Sequence, residues 1–176
     1  MKRVTLPASS KDLRDLQAGE PVLLSGTVYT ARDAAHKRMI ELLEQRKELP
    51  IPMKDAAIYY VGPTPAPKGR PIGSAGPTTS SRMDAYTPAL LDQGLTVMIG
   101  KGRRSAEVKE AIVTHGAVYF VACGGAGALL AHHIKKAEPV AFEDLLAEAI
   151  VRLTLEDFPC FVGVDSFGDD VYDQDQ

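Results

Sequence analysis

Ten consecutive residues, Gly73-Ser-Ala-Gly-Pro-Thr-Thr-Ser-Ser-Arg82, carry five hydroxyl side chains (Ser74, Thr78, Thr79, Ser80 and Ser81) and one guanidinium. The run has no apolar face to bury, so it reads as a loop, kinked at Gly76-Pro77. Hydroxyls, backbone N–H groups and an arginine fork are what a small carboxylate or phosphate needs around it. An ordinary polar surface loop has the same composition. Two further cation-bearing turns give this one its weight.

The first is at Arg32, where a strand-like run hands over to a helical pattern. Thr30 and Asp33 have the spacing of a capping box, with Asp in place of the usual Glu. A cation in a first helical turn opposes the dipole by a few tenths of a kcal/mol, while a bound anion suits the same place. Arg32 therefore reads either as a tolerated surface residue or as one arm of an anion site. His36 lies one turn on and ranks behind it, because a lone histidine is more often structural. The second turn is Gly100-Lys101-Gly102-Arg103-Arg104. It is not a P-loop: five residues rather than four separate Gly94 from Gly100, and Lys101 is followed by glycine. What remains is a lysine held by glycines at a strand end and aimed at an anion, with a basic surface turn as the plain alternative.

The elements that must position these residues alternate strand and helix, which makes the class α/β with one core. The 176 residues, 45% of them hydrophobic, suit a single domain spanning 1–176. Residues 1–20 read as an N-terminal arm with a short helix from Lys11, capped by Ser9 or Ser10 and closed near Gly19. A strand over 21–30 leads to a helix whose Ala35, Met39, Leu42 and Leu43 share one stripe. Pro50 and Pro52 end that section, and a strand follows over 56–62. Four prolines between Pro63 and Pro71 make a stiff connector to the hydroxyl-rich loop. Thr87-Pro88 opens the next helix as a cap and N1 proline, and Gly94 stops it. A buried strand covers 95–99. Ser105 caps a helix that Gly116 closes, and 117–123 is the following strand. It runs into Gly124-Gly125-Ala126-Gly127, a weak relative of a dinucleotide fingerprint whose third glycine would fall on Leu130. These glycines read as close backbone packing between that strand and a helix reaching about Lys136, with a supporting role for the loop as the alternative and His132 and His133 structural within the helix. A helix over 142–155, a strand over 159–164 and an acidic tail at 169–176, expected to fray, complete the chain.

A net charge of −3 argues against nucleic acid as the main partner. No apolar run approaches the roughly 20 residues of a membrane helix, and the N-terminus lacks the apolar core of a secretory signal. A cytoplasmic location is expected. Cys123 and Cys160 sit in apolar runs without metal-ligand spacing and read as buried thiols, so no metal site is expected from this chain.

Three segments in order, Gly26-Thr-Val-Tyr-Thr-Ala-Arg-Asp-Ala-Ala-His-Lys-Arg, Gly73-Ser-Ala-Gly-Pro-Thr-Thr-Ser-Ser-Arg-Met-Asp and Ile99-Gly-Lys-Gly, resemble the iron–sulfur-dependent class I fumarate hydratases. More narrowly the chain is similar to their β subunit, equivalent to the C-terminal domain of the single-chain forms, from about Leu23 to Asp165. The β subunit of L(+)-tartrate dehydratase is similar too. The resemblance implies a swivelling β/β/α domain and the reversible hydration of fumarate to L-malate. It also implies a [4Fe–4S] cluster held by an α subunit, with this chain as half of an αβ heterodimer or α2β2 heterotetramer. Carried over motif by motif, Arg32 and Arg82 clamp the dicarboxylate and Lys101 adds a third cation, with His36 secondary to them. Thr78 transfers the proton, with Thr79 as the alternative. A threonine hydroxyl is a poor base at its free pKa, so this role needs cations that stabilise its alkoxide. Ser80-Ser81 departs from the Ala-Gly or Ser-Gly of the fumarases beside the substrate, and the short connector fits the fumarase side better. The alternatives are a tartrate or other hydroxy-dicarboxylate dehydratase, a non-catalytic module holding a phosphorylated ligand, and an assembly subunit.

Overall fold

The computed structural model describes residues 1–122 and 127–173. Five strands pair in parallel in chain order: β1 (Lys2–Leu6), β2 (Pro21–Thr30), β3 (Ala57–Tyr59), β4 (Val97–Gly100) and β5 (Val118–Ala122). Two more, β6 (Ile134–Ala141) and β7 (Ile150–Val164), are antiparallel to each other. β7 runs antiparallel to β5 and also to β2. Strands β2, β3, β4, β5 and β7 thus close into a ring, with β1 and β6 on its flanks. The fold is a single α/β unit with a mixed sheet.

Every residue of β3, β4 and β5 is buried, as expected for apolar strands covered on both faces. One core fills the ring, with Val22, Leu24, Tyr59, Ile99, Phe120, Leu153 and Val162 among its members. The short α1 (Ser10–Leu13) seals it with Leu13. The other core lies under three helices, α2 (Asp33–Glu44), α3 (Thr87–Asp92) and α4 (Ala106–His115). Their Ala35, Met39, Leu90, Leu91, Val108 and Ile112 pack on Ile58, Tyr60, Met98 and Tyr119. Full burial of one such aliphatic side chain contributes about 1.5–3 kcal/mol. α4 begins and ends as its sequence dictates: Ser105 accepts from the Val108 amide, and Gly116 takes the left-handed conformation.

Several expectations are corrected. The N-terminal arm is part of the sheet, because β1 pairs along β2 from Lys2 to Leu6. Ser9, not Ser10, caps α1 in a capping box with Asp12. Thr30 does not cap α2; its hydroxyl donates to the Ala149 carbonyl and accepts from the Val151 amide, tying β2 to β7. Thr87 is inside α3, with its hydroxyl donating to the Met83 carbonyl. The helix expected to reach Lys136 stops early: α5 is Gly127–Ala131, and Lys135 and Lys136 belong to β6. The helix expected over 142–155 is a kinked 3-10 segment, Glu143–Glu148, followed by β7. Residues 169–173 are docked rather than frayed, with Asp170 buried and a 3-10 turn at Val171–Asp173. The strand end at Cys123, the turn Gly124-Gly125-Ala126 and residues 174–176 lie outside the described residues.

Candidate active site

Parallel pairing carries the C-terminal ends of β2, β3 and β4 to one end of the sheet. The chain leaves them at Ala31-Arg32, at Tyr60-Val61-Gly62 and at Lys101. The hydroxyl-rich loop crosses over these ends and is stitched to them by its backbone. Thr78 N donates to the Tyr60 carbonyl at 2.7 Å, and Ser80 N donates to the Lys101 carbonyl at 2.9 Å. Thr79 forms an isolated parallel bridge with Lys101. Three residues on, Arg82 pairs with Asp33, the first residue of α2. Arg32, Thr78, Thr79, Arg82 and Lys101 are therefore brought to one face, although 69 positions separate the first from the last.

Arg32 is the N-cap of α2 in extended conformation and makes no side-chain cap bond. Its side chain lies across Gly62, where an added Cβ would sit 2.7 Å from Nη1 and 2.8 Å from Cδ. Glycine at 62 is what lets the guanidinium lie down on the strand end. The helix N-terminus is served by the chain's own carboxylate, since Ala34 N donates to Glu148 Oε1 at 3.2 Å. Among the described residues the buried Arg32 Nε has no hydrogen-bond partner, nor has Asp33 Oδ1. Arg82 is half exposed and, among the described residues, engages only the other oxygen of Asp33. Thr78 is partly buried, and Thr79 and Lys101 are exposed. Among the described residues neither Arg32 nor Lys101 has an ion-pair partner.

His36 lies beneath this face, fully buried. Its Nδ1 is 2.8 Å from the Arg32 carbonyl, which also accepts the His36 amide. A carbonyl can only accept, so Nδ1 carries the proton. Burial holds the imidazole pKa down to about 4, so the ring is neutral at pH 7 and Nε2 is left as an acceptor with no partner among the described residues. The rings of Tyr60 and Tyr86 flank it at centroid distances of 5.5 and 6.0 Å. From there His36 supports the peptide that presents Arg32.

Beneath the loop lies a network that the sequence reading did not single out. The Arg104 guanidinium, fully buried, donates to Asp84 Oδ1 at 2.7 Å, to Tyr60 Oη at 3.1 Å and to Thr87 Oγ1 at 3.0 Å. It also stacks against the rings of Tyr60 and Tyr119. The second oxygen of Asp84 accepts from Ser105 N at 2.8 Å. Ser80, expected beside a substrate, is buried and bonds to Tyr119 Oη at 2.7 Å. Only Ser81 of that pair faces outward. The available signal was small: Tyr60, Met98 and Tyr119 fall on one face of neighbouring strands, which leaves a buried polar pocket for a cation to fill.

Gly127 packs against the start of the loop, where an added Cβ would lie 2.3 Å from Ser74 Oγ. The packing expected between strand and helix is, at Gly127, packing against the loop; Gly124 and Gly125 lie outside the described residues. His132 and His133 follow α5 in a turn, with His133 Nδ1 3.1 Å from the Glu156 carbonyl. The described residues contain no group of three His, Cys, Asp or Glu side chains arranged to hold a metal ion. A surface concavity of about 670 Å³, lined by Arg14, Gln17, Asp165 and Phe167, is at another place. The candidate site itself is an open face of cations and hydroxyls, suited to an anion.

The family model described as Fumarase C-terminus matches residues 1–175. The chain is 45% identical over 153 residues to the anaerobic class I fumarate hydratase of Escherichia coli, covering 86% of this chain and 28% of that enzyme. It is 44% identical over 153 residues to the mitochondrial fumarate hydratase 1 of Leishmania major, again 86% of this chain and 28% of the relative. It is 29% identical over 177 residues to the L(+)-tartrate dehydratase subunit beta of Escherichia coli, covering 97% of this chain and 87% of the subunit. The chain thus spans little more than a quarter of the length of the fumarate hydratases it matches.

Proposed function

Because the chain belongs to the Fumarase C-terminus family, we propose that it is the β subunit of a hydro-lyase interconverting fumarate and L-malate, active only with an α subunit. The observation that carries this reading is the unpaired Arg32 guanidinium laid over Gly62, facing the same open end as Arg82 and Lys101. Three cations on one face ask for a small ligand with more than one negative charge. A dicarboxylate meets that demand.

In this reading Arg32 and Arg82 take the substrate carboxylates, bidentately where the forks align. Addition of water across the double bond builds negative charge on the substrate, and cations fixed beforehand stabilise it without reorganising. Thr78 moves the proton at the carbon that gains or loses hydrogen. Its amide is anchored to the Tyr60 carbonyl, so its hydroxyl starts from a defined place, and the neighbouring cations favour its alkoxide. Thr79 is the alternative. The described residues offer no ligand set for a metal ion, and the [4Fe–4S] cluster is assigned to the α subunit. The swivelling β/β/α class, the αβ or α2β2 assembly and the cytoplasmic location belong to the same proposal.

The near full-length match to a tartrate dehydratase β subunit favours one second reading, with L(+)-tartrate as the substrate. The higher identity to the fumarate hydratases supports taking fumarate as the first reading. The deciding experiment is an anaerobic pull-down of the tagged chain from its own cells, with the eluate assayed for iron, sulfide and turnover of fumarate and L(+)-tartrate. Co-elution of an iron–sulfur protein with fumarate hydration is the expected result. Preference for tartrate would promote the second reading. An iron-free chain eluting alone would sink both and turn attention to phosphorylated ligands.

A further inference from the structure

The segment after β7 does something the acidic composition of the tail does not suggest. Tyr172 Oη accepts from the Gly102 amide at 3.2 Å. On the other side of the same residue, Tyr119 Oη donates to the Gly102 carbonyl at 2.8 Å. Tyr119 has one proton, and it is spent on that carbonyl, so Ser80 Oγ donates to Tyr119 Oη at 2.7 Å. The Lys101 carbonyl, one residue earlier, accepts from Ser80 N. Gly102 itself has φ +86, a conformation other residues resist. Lys101 is thus presented by a turn whose backbone is gripped on both sides.

The grip from the C-terminal side is itself anchored. Arg103 stacks on the Tyr172 ring, donates to the Tyr172 carbonyl at 2.8 Å and pairs with Asp173 at 2.9 Å. Lys109 of α4 pairs with the buried Asp170 and with Asp173. Asp170 also accepts from Tyr172 N and bridges back to Val164 at the end of β7.

We propose that Tyr172 is a positioning residue for the proposed hydration, and that segment 170–173 straps the Gly100–Arg104 turn so that Lys101 stands at the dicarboxylate. Tyr172 touches no substrate; it acts through the Gly102 peptide. The inference rests on the proposed function for its kinetic consequence and on this chain alone for its structural one, so two measurements separate them.

The first is hydrogen exchange of the full chain. Tyr172→Phe keeps the ring that Arg103 stacks on and removes only the acceptor of the Gly102 amide. Exchange at Gly102 is expected to speed up about tenfold, the worth of one hydrogen bond, with α4 and β4 unchanged. Unaltered exchange at Gly102 would overturn the strap whatever reaction the protein catalyses. The second is a double-mutant cycle in the complex with its cluster-bearing partner. Tyr172→Phe alone is expected to raise KM for the dicarboxylate about tenfold, and to add nothing in a Lys101→Ala background. Equal losses in both backgrounds would mean that Tyr172 serves general stability and not Lys101. A wild-type complex without hydro-lyase turnover would overturn the reaction and leave the exchange result to decide the strap.

Discussion

At the scale of single residues, the candidate site is defined by which charges are neutralised and which are not. Arg104 carries as many protons as Arg82, yet it is buried and matched to Asp84, so it serves the fold. Arg82 has only the half-exposed Asp33 beside it, and Arg32 and Lys101 have no ion-pair partner among the described residues. Removing a cation of the second kind should affect turnover rather than folding. Under the proposed function, Arg82→Ala is expected to lower kcat/KM for the dicarboxylate by at least about 100-fold while leaving the thermal transition and co-purification with the proposed α subunit intact. Near-normal turnover would remove Arg82 from the site. The two threonines separate in the same assay. Thr78→Val should abolish turnover and Thr79→Val should not, because Thr78 is the one anchored at the end of β3 and partly buried. The opposite ranking would transfer the proton to Thr79.

At the scale of elements, the loop over the site derives its shape from what lies underneath. The Arg104–Asp84 pair joins the loop ending at Asp84 to the start of α4, through Ser105 N. Truncating Asp84 to Ala would leave a buried guanidinium without its counter-charge, at a cost of about 3–5 kcal/mol. Urea unfolding would read this directly, and a loss under 1 kcal/mol would mean that Tyr60, Thr87 and the aromatic rings suffice for Arg104. The 3-10 segment before β7 has a different character. Leu146 there has φ 55 and ψ −116 and is 82% exposed, so it stores backbone strain and buries almost nothing. Glycine tolerates that conformation, and Leu146→Gly is expected to stabilise the chain by about 1 kcal/mol. A destabilised variant would mean that the leucine packs on something in the folded chain.

For the whole molecule, the buried His36 makes stability depend on pH. The imidazole pKa is about 4 in the folded chain against 6.5 for the free side chain. Below pH 6.5 the unfolded chain takes up a proton that the folded chain refuses, so the folded state loses ground as pH falls from 6.5 towards 4. The total is about 3 kcal/mol, fully restored above pH 7. Carboxylates held below their ordinary range by partners, such as Asp144 beside Arg38 and Asp173 beside Lys109, act at lower pH and leave this window to the histidine. Urea midpoints at pH 7, 5.5 and 4.5 should therefore fall less in His36→Gln than in the parent chain. Parallel pH profiles would show that the imidazole titrates normally.

How much was legible follows from how local each signal is. The sequence by itself determined the α/β class, the buried strands β3 to β5, and α4 with its serine cap and glycine stop. It also marked the candidate residues, because those signals live in runs of apolar residues, caps and motifs of a few neighbours. The sheet's closure was not legible. Along β7 as far as 162 the buried residues fall at 150, 153, 155, 158, 160 and 162, a mixture of threes and twos rather than the strict alternation of a strand. Asp157, with φ 50, resets the pleat, and only pairing with β2, β5 and β6 makes such a segment a strand. The same holds for β1 and for the strap at 170–173, whose partners lie far along the chain. Which arginine is structural and which faces outward was likewise decided in three dimensions. Arg103 and Arg104 are neighbours in sequence, and the turn at Gly102 sends one to the C-terminal segment and buries the other among Tyr60, Asp84 and Tyr119. Charge type is a property of the residue, but its partner is a property of the packing.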